Sequence, residues 1–213
     1  MGYSTILFDL DGTLTDPGLG ITNSILYALD KMNIPQPPRE DLYEFIGPPL
    51  KEMLMMRFNL SDAQGEEALR CYREYFSVDG LFENKVYAGI PELLHALRAA
   101  GKKLILATSK PETFTLRILE RFDLARYFDF VAGSTLDGSR VHKDDVIAYA
   151  LKSCGFSGET AMVGDRKYDV EGAKAHNLPC IGVTYGYGSR AELEAAGAIA
   201  TADTPQDLIP LLL

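Results

Sequence analysis

The sequence is poor in cysteine and has no long apolar run. Its three cysteines, Cys71, Cys154 and Cys180, are odd in number and form no Cys-x-x-Cys pair. This pattern fits a reducing compartment better than a disulfide framework. No apolar stretch approaches the roughly 20 residues that a membrane span needs, and the apolar run before Asp9 is too short for a signal peptide. We therefore expect a cytoplasmic protein that has no membrane partner.

Positive charge and histidine are also scarce. The 213 residues include 21 basic and 30 acidic side chains, which give a formal net charge of −9. No basic stripe is present, and this argues against a nucleic-acid partner. The three histidines, His95, His142 and His176, have no spacing typical of a metal site or a catalytic triad. The length suits one or two compact units, since domains usually hold about 100–200 residues.

A short apolar run near the start of the chain ends in two carboxylates. Residues 5–8 read Thr-Ile-Leu-Phe, and Asp-Leu-Asp-Gly-Thr follows from Asp9 onward. A continuous apolar run is typical of a strand buried on both faces, and open α/β sheets bind ligands where such strands end. Spaced two apart on an extended chain, Asp9 and Asp11 would project from the same side. A cation or a shared proton would stabilise them, although Asp-Gly is also a common turn pair.

Two further apolar runs end in polar side chains. The run at 103–107 leads into Thr108, and the run at 160–163 leads through a glycine into Asp165. The carboxyl ends of parallel strands lie along one edge of their sheet. We therefore expect the three strand ends to assemble a single site.

Four short motifs thus follow one another along the chain. They are Asp-x-Asp-Gly-Thr from Asp9, the strand-end Thr108, a lone Lys143 before a helix, and Gly-Asp-x-x-x-Asp from Gly164. In type and order they resemble the motifs of the haloacid dehalogenase superfamily of phosphohydrolases. Residues 86–94 and 182–188 look like the branch that holds phosphoglycolate phosphatases and small soluble 5′-nucleotidases. The resemblance covers nearly the whole chain and is least specific between about residues 18 and 84.

The hydrophobic pattern predicts an α/β fold with a helical insertion. Strands near 103–108, 128–132, 160–164 and 179–183 alternate with helices, as in a parallel sheet with right-handed crossovers. Residues 16–83 read as helices, broken by prolines after the first. We therefore predict a discontinuous, Rossmann-like core domain at 1–15 and 84–213 and a helical cap domain at 16–83. The resemblance implies that this cap is mobile and covers the site.

The resemblance also implies a mechanism through two carboxylates. Asp9 would attack phosphorus to give an aspartyl-phosphate that water later cleaves, and Asp11 would protonate the leaving group and then activate that water. Dehalogenases of the superfamily lack the second Asp, so Asp11 favours ester hydrolysis. Asp11 must keep its proton at neutral pH, although the pKa of a free Asp side chain is about 3.9. A nearby carboxylate and partial desolvation would favour this.

A magnesium site is implied at the same place. The ligands would be Asp9, the backbone carbonyl of Asp11, Asp165, and Asp169 either directly or through water, because Mg²⁺ prefers oxygen ligands and keeps several waters. Acidic residues at a helix start can instead offset the helix dipole. The position of Asp165 directly after an apolar strand favours the metal role.

Phosphate binding is implied for Thr108, Ser109, Gly12 and Lys143. Lys143 would hold the nucleophile and stabilise the transferred phosphoryl group, although Asp144 follows it where the family often has proline, and a solvated helix-start lysine is the alternative. Ser109 also begins a good capping box with proline in the first turn, so it could be a helix cap only. For the next residue, Lys110, we expect a solvated side chain rather than a phosphate contact.

The predicted function is Mg²⁺-dependent hydrolysis of a small phosphorylated metabolite, such as a nucleoside 5′-monophosphate or phosphoglycolate. Gly47 and Lys51, in a proline-stiffened turn of the cap, are the candidate specificity residues. One alternative is a phosphosugar mutase, and another is a non-catalytic regulatory or binding module. The segment 186–191 satisfies a loose dinucleotide pattern but lacks a downstream βα unit, so we interpret it as a flexible loop near the site.

Overall fold

The computed structural model describes residues 2–155 and 158–213. These residues divide into two compact units. The first unit consists of the chain up to Thr15 together with Val86–Leu213. The second unit is Asp16–Lys85.

The first unit is built on a six-stranded parallel sheet. The strands are β1 (Thr5–Phe8), β4 (Lys103–Pro111), β5 (Phe130–Ser134), β6 (Thr160–Gly164), β7 (Cys180–Val183) and β8 (Ala200–Ala202). Their order in the sheet is β5-β4-β1-β6-β7-β8, and every pairing is parallel. Strand β1 lies in the centre, where Leu7 pairs with Ile105 of β4 and with Met162 of β6. The α/β fold with a parallel sheet is therefore confirmed.

Helices connect these strands or, in the case of α9, follow the last one, and they bury their apolar faces. They are α4 (Ile90–Ala99), α5 (Glu112–Arg121), α6 (Lys143–Cys154), α7 (Lys167–Ala175), α8 (Arg190–Ala196) and α9 (Leu208–Leu212). In α4 the buried residues Ile90, Leu93, Leu94 and Leu97 recur at helical spacing, which marks one face for the core. Because strands β1, β6 and β7 are buried throughout, polar side chains concentrate where the strands end.

The second unit is mainly helical. It contains α1 (Gly18–Lys31), a 3₁₀ segment at Arg39–Phe45, α2 (Leu50–Phe58), α3 (Asp62–Tyr75) and a π-helical turn at Phe76–Gly80. A capping box begins α3, since Ser61 accepts a hydrogen bond from the Gln64 amide and the Gln64 side chain accepts one from the Ser61 amide. Short strands β2 (Thr15–Asp16) and β3 (Lys85–Val86) form a separate two-stranded sheet.

The observed elements differ from the predicted ones in small ways. Strand β5 begins two residues later than predicted, and β4 continues to Pro111. Strand β8 was not predicted, because three residues carry too little periodicity. The three cysteines are free. Within residues 2–155 and 158–213, no helix combines the length and apolar character that crossing a membrane requires.

Candidate active site

The turn after β1 brings Asp9 and Asp11 into a buried position at the edge of the sheet. Both side chains are almost fully buried. The carbonyl of Leu10 accepts hydrogen bonds from the amides of three following residues, 13 to 15, and these bonds fix the turn. Gly12 has φ of +85°, and a Cβ there would lie 2.1 Å from Oδ2 of Asp165. Glycine is thus required by both backbone conformation and space.

Three carboxylates meet at the ends of β1 and β6. Asp9, Asp165 and Asp169 are buried and offer carboxylate oxygens that all lie within 4.8 Å of one another. Burial and the carboxylates of Asp169 and Asp9 raise the pKa of Asp165 well above its usual range. Burial also raises the pKa of Asp169 to about 6, although Lys143 opposes the rise. Burial is thus the larger cause of the raised pKa values, and the neighbouring carboxylates add to it.

Lys143 is the buried cation of this cluster. It is the first residue of α6 and only 6% exposed. Its Nζ lies 2.7 Å from Oδ1 of Asp9 and 2.8 Å from Oδ1 of Asp169, and it donates to the carbonyl of Ala107 at 3.0 Å. Burial alone would lower the pKa of Lys143, but Asp169 and Asp9 outweigh it and raise that pKa. The interpretation as a solvated helix-start lysine is therefore wrong.

The donor set fits a divalent cation. The cluster contains three buried carboxylates, and the Lys143 ammonium contacts two of them, so the fully ionised cluster of these four side chains carries excess negative charge. Excess buried charge is costly unless it is paired, and the raised pKa values of Asp165 and Asp169 express that cost. A hard cation that takes carboxylate oxygens would relieve the repulsion. The predicted ligands Asp9, Asp165 and Asp169 are thus brought together, with Asp11 in the adjoining turn.

The loop after β7 packs against Asp165. The amide of Tyr187 donates a hydrogen bond of 2.8 Å to Oδ2 of Asp165. A Cβ on Gly186 would lie 2.3 Å from the carbonyl of Gly12 and 2.5 Å from Oδ2 of Asp165. The glycine-rich segment that matched a dinucleotide pattern therefore supports the acidic cluster. Sequence reasoning placed this loop near the site but did not identify its contact with Asp165; the signal was its position after a parallel strand.

Strand β4 contributes Thr108, Ser109 and Lys110. Thr108 is buried, and its Oγ1 accepts a hydrogen bond from the amide of Lys110 at 3.3 Å. The alternative that Ser109 serves as a helix cap is wrong, since α5 is preceded by Pro111 and has no side-chain cap. The strand extends through the segment that a cap would occupy. Ser109 is half-buried within it.

Lys110 differs most from its sequence-based expectation. Its side chain was expected in solvent, but the residue is 8% exposed and its Nζ forms an ion pair with Oδ2 of Asp11. Burial raises the pKa of Asp11, and the Lys110 ammonium opposes that rise. Nothing in the local sequence distinguishes this lysine from a solvated one.

The candidate specificity residues belong to the second unit. Gly47 has φ of +111°, a conformation that favours glycine. The ammonium of Lys51 lies 2.7 Å from Asp62 and 2.6 Å from Glu66 of α3. In this structure Lys51 therefore links α2 to α3.

Comparison with known proteins defines the class. A sequence profile of haloacid dehalogenase-like hydrolases matches residues 6–183, and the chain belongs to this family. A predicted phosphatase from Clostridium acetobutylicum superposes with a TM-score of 0.94 at 47% identity, covering 99% of this chain and 98% of that one. The chain is a phosphatase of the haloacid dehalogenase type.

Among curated proteins, the chain is 48% identical to a 5′-nucleotidase of Pseudomonas aeruginosa over 91% of this chain and 88% of that protein. It is 28% identical to a phosphoglycolate phosphatase of Shigella dysenteriae, over 97% of this chain and 91% of that protein. It is also 42% identical to the tyrosine-protein kinase PtkA of Mycobacterium tuberculosis, over 86% of this chain; the match spans 62% of that protein's length. The predicted resemblance to 5′-nucleotidases and phosphoglycolate phosphatases is confirmed.

Proposed function

We propose that the protein is a Mg²⁺-dependent phosphate-monoester hydrolase that acts through an aspartyl-phosphate on Asp9. The observation that carries this proposal is the arrangement around Asp9, whose buried carboxylate lies 2.7 Å from the ammonium of Lys143 and close to two further carboxylates, with Asp11 two residues along the same turn. The turn after β1 thus supplies the proposed nucleophile, Asp9, and the proposed proton donor, Asp11. Close to Asp9 lie the proposed cation, Lys143, and the further metal ligands, Asp165 and Asp169.

The metal ligands we propose are Asp9, the backbone carbonyl of Asp11, Asp165 and Asp169, the last directly or through water. Bound there, Mg²⁺ would offset the charge of the acidic cluster and of the substrate phosphate, so that an anionic nucleophile can approach an anionic ester. Lys143 would hold the Asp9 side chain in place and would stabilise charge on the transferred phosphoryl group.

The reaction divides into two steps. In the first, a carboxylate oxygen of Asp9 attacks phosphorus, the bond to the leaving oxygen breaks, and that oxygen takes a proton from Asp11. In the second, the Asp11 carboxylate takes a proton from water as the water oxygen attacks the aspartyl-phosphate. Inorganic phosphate leaves and Asp9 is regenerated. Burial favours the protonated form of Asp11 that the first step needs.

Phosphate and substrate contacts complete the proposal. Thr108, Ser109 and the backbone near Gly12 would donate hydrogen bonds to phosphate oxygens. The second unit, Asp16–Lys85, would act as the cap, with Gly47 and Lys51 as candidates for contacting the leaving group. The 5′-nucleotidase relative supports a nucleoside 5′-monophosphate as substrate, and the more distant phosphatase relative supports phosphoglycolate as the second candidate.

The test is phosphate release from a panel of nucleoside 5′-monophosphates, phosphoglycolate and sugar phosphates, with and without Mg²⁺. The account predicts Mg²⁺-dependent release from at least one of the first two classes. Isomerisation of a sugar phosphate without net phosphate release would instead identify a mutase. Transfer of phosphate from ATP to a tyrosine-containing peptide, without hydrolysis of the panel, would favour the activity after which the mycobacterial relative is named. Silence throughout would favour a binding role.

A further inference from the structure

The contact between Lys110 and Asp11 suggests a role for a lysine outside the four motifs. The Nζ of Lys110 forms a buried ion pair with Oδ2 of Asp11, and their side chains are only 5% and 10% exposed. The other oxygen, Oδ1 of Asp11, is buried and receives no hydrogen bond from any described residue. One oxygen of this carboxyl group is thus held in an ion pair, and the other makes no hydrogen bond within the described part of the chain.

The backbone of β4 is shaped to place Lys110 at this point. Ala107 pairs with Ala132 of β5, whereas Pro111 pairs with Ser134, so β4 advances four residues while β5 advances two. Such an irregularity changes the direction of side chains along a strand. The amide of Lys110 donates to Oγ1 of Thr108 at 3.3 Å, and its carbonyl accepts from Thr115 at 3.5 Å. Hydrogen bonds therefore hold the backbone of Lys110 on both sides of its Cα.

We propose that Lys110 is a positioning residue that holds Oδ2 of Asp11, so that Oδ1 is the oxygen that exchanges the proton with the leaving group. This inference rests on the proposed function. As the bond between phosphorus and the leaving oxygen breaks, its electron pair stays on that oxygen, which takes the proton from Oδ1. Lys110 keeps its own protons and remains bonded to Oδ2 throughout. In the second step, Oδ1 takes up a proton from water.

The proposal separates Lys110 from a residue that binds phosphate. If Lys110 only bound phosphate, its removal would lower kcat/KM by the same factor for two esters that share the phosphoryl group and differ in the leaving group. A nucleoside 5′-monophosphate leaves as an alkoxide and needs the proton, whereas p-nitrophenolate is a stable anion and does not. The ratio kcat/KM covers steps up to phosphoryl transfer to the enzyme, so later hydrolysis of the intermediate does not enter the comparison.

The experiment measures kcat/KM of Lys110→Met for AMP and for p-nitrophenyl phosphate. General acid catalysis contributes about 10²–10⁴-fold, so we expect a loss of about 10–100-fold for AMP and less than about 3-fold for the aryl ester. Asp11→Asn should show the same selectivity, and Lys110→Met should add no further selectivity in the double variant. Partial unfolding would lower both rates equally and leave their ratio unchanged.

Lys103→Met is the matched control, because Lys103 lies at the start of the same strand and its Nζ donates to the carbonyl of Cys154 at 3.0 Å. It should change neither the rates nor their ratio. If the wild type hydrolyses both esters and Lys110→Met lowers kcat/KM equally for both, or for neither, the proposed role of Lys110 is overturned. A wild-type protein that hydrolyses no monoester would instead overturn the proposed function.

Discussion

The ammonium of Lys143 lies 2.7 Å from a carboxylate oxygen of Asp9. The same ammonium lies 2.8 Å from Asp169, so a single buried cation joins the proposed nucleophile to the acidic cluster. These residues are far apart in sequence and come together because α6 begins beside the carboxyl ends of β1 and β4. The charge balance of the site therefore depends on this lysine.

Replacing Lys143 with methionine should damage both activity and stability. The change leaves Asp9 and Asp169 buried without their cation, and breaking a buried ion pair typically costs about 3–5 kcal/mol. We expect the free energy of unfolding to fall by a similar amount in the metal-free protein, and kcat to fall about 10²-fold or more. Urea unfolding and phosphate release measure the two effects. Wild-type turnover in this variant would remove Lys143 from the mechanism.

Replacing Asp165 with asparagine should stabilise the metal-free protein at neutral pH. The folded pKa of Asp165 is raised above its unfolded value of about 3.9. For such an acid, the stability present at low pH is lost as pH rises through the folded pKa. Asparagine cannot ionise and avoids this loss. We expect a gain of about 1 kcal/mol or more at pH 7.5, which shrinks toward pH 4.5.

The control for Asp165→Asn is Asp123→Asn. The Asp123 side chain is 74% exposed, so this substitution should leave the pH dependence unchanged. Urea titrations from pH 4.5 to 8 in EDTA measure both variants. If Asp165→Asn were less stable than wild type at every pH, the carboxylate would not be under repulsion.

Added Mg²⁺ should stabilise the wild-type protein in a pH-dependent way. A ligand at 100 times its Kd stabilises the folded state by about 2.7 kcal/mol. Because the pKa of Asp169 is raised to about 6, protons should compete with the metal increasingly below that pH. The rise in Tm on adding Mg²⁺ should therefore be large at pH 7.5 and small at pH 5. It should be reduced at both pH values in Asp165→Asn. An equal rise at both pH values in the wild type would place the metal elsewhere.

Replacing Gly186 with alanine should weaken metal binding more than folding. The new Cβ would lie 2.3 Å from the carbonyl of Gly12 and 2.5 Å from Asp165, so Asp165 must shift. We expect the Mg²⁺ affinity, measured by titration, to fall about 10-fold or more, as when contacts that orient a metal ligand are lost. Gly101→Ala is the control. A Cβ at this position would have no described atom within 4 Å, but Gly101 has φ of +76°. The Gly101→Ala protein should therefore be less stable to unfolding and keep the Mg²⁺ affinity of the wild type. Equal affinities in the two variants would contradict this role of Gly186.

The strand ends and the acidic residues were predictable from sequence. Buried parallel strands are continuous apolar runs, so the polar residues that follow them, Asp9, Thr108 and Asp165, mark one edge of the sheet. Lys143 was found through its order among the motifs. The structure brings Asp9 and Lys143 together with the acidic cluster that contains Asp165, and the catalytic roles of all four residues remain predictions.

The surroundings of Lys110 could not be predicted in the same way. A lysine is expected in solvent because burying an ammonium is costly without a partner, and its partner Asp11 lies 99 positions away. The irregular pairing of β4 that brings them together leaves no periodic signal. Ser109 fits a capping box by residue type, yet the strand continues to Pro111. At both residues, tertiary packing rather than the local sequence pattern determines the structure.

The most direct test of the mechanism is phosphate release by Asp9→Asn in the presence of Mg²⁺, with Asp123→Asn as the matched control. The account predicts that Asp9→Asn loses at least about 10³-fold in kcat and forms no acid-stable phosphoprotein, whereas the control keeps wild-type turnover. The Asp9→Asn protein should still unfold cooperatively, which separates loss of chemistry from loss of fold. Turnover by Asp9→Asn at the wild-type rate would contradict the proposal that Asp9 is the nucleophile.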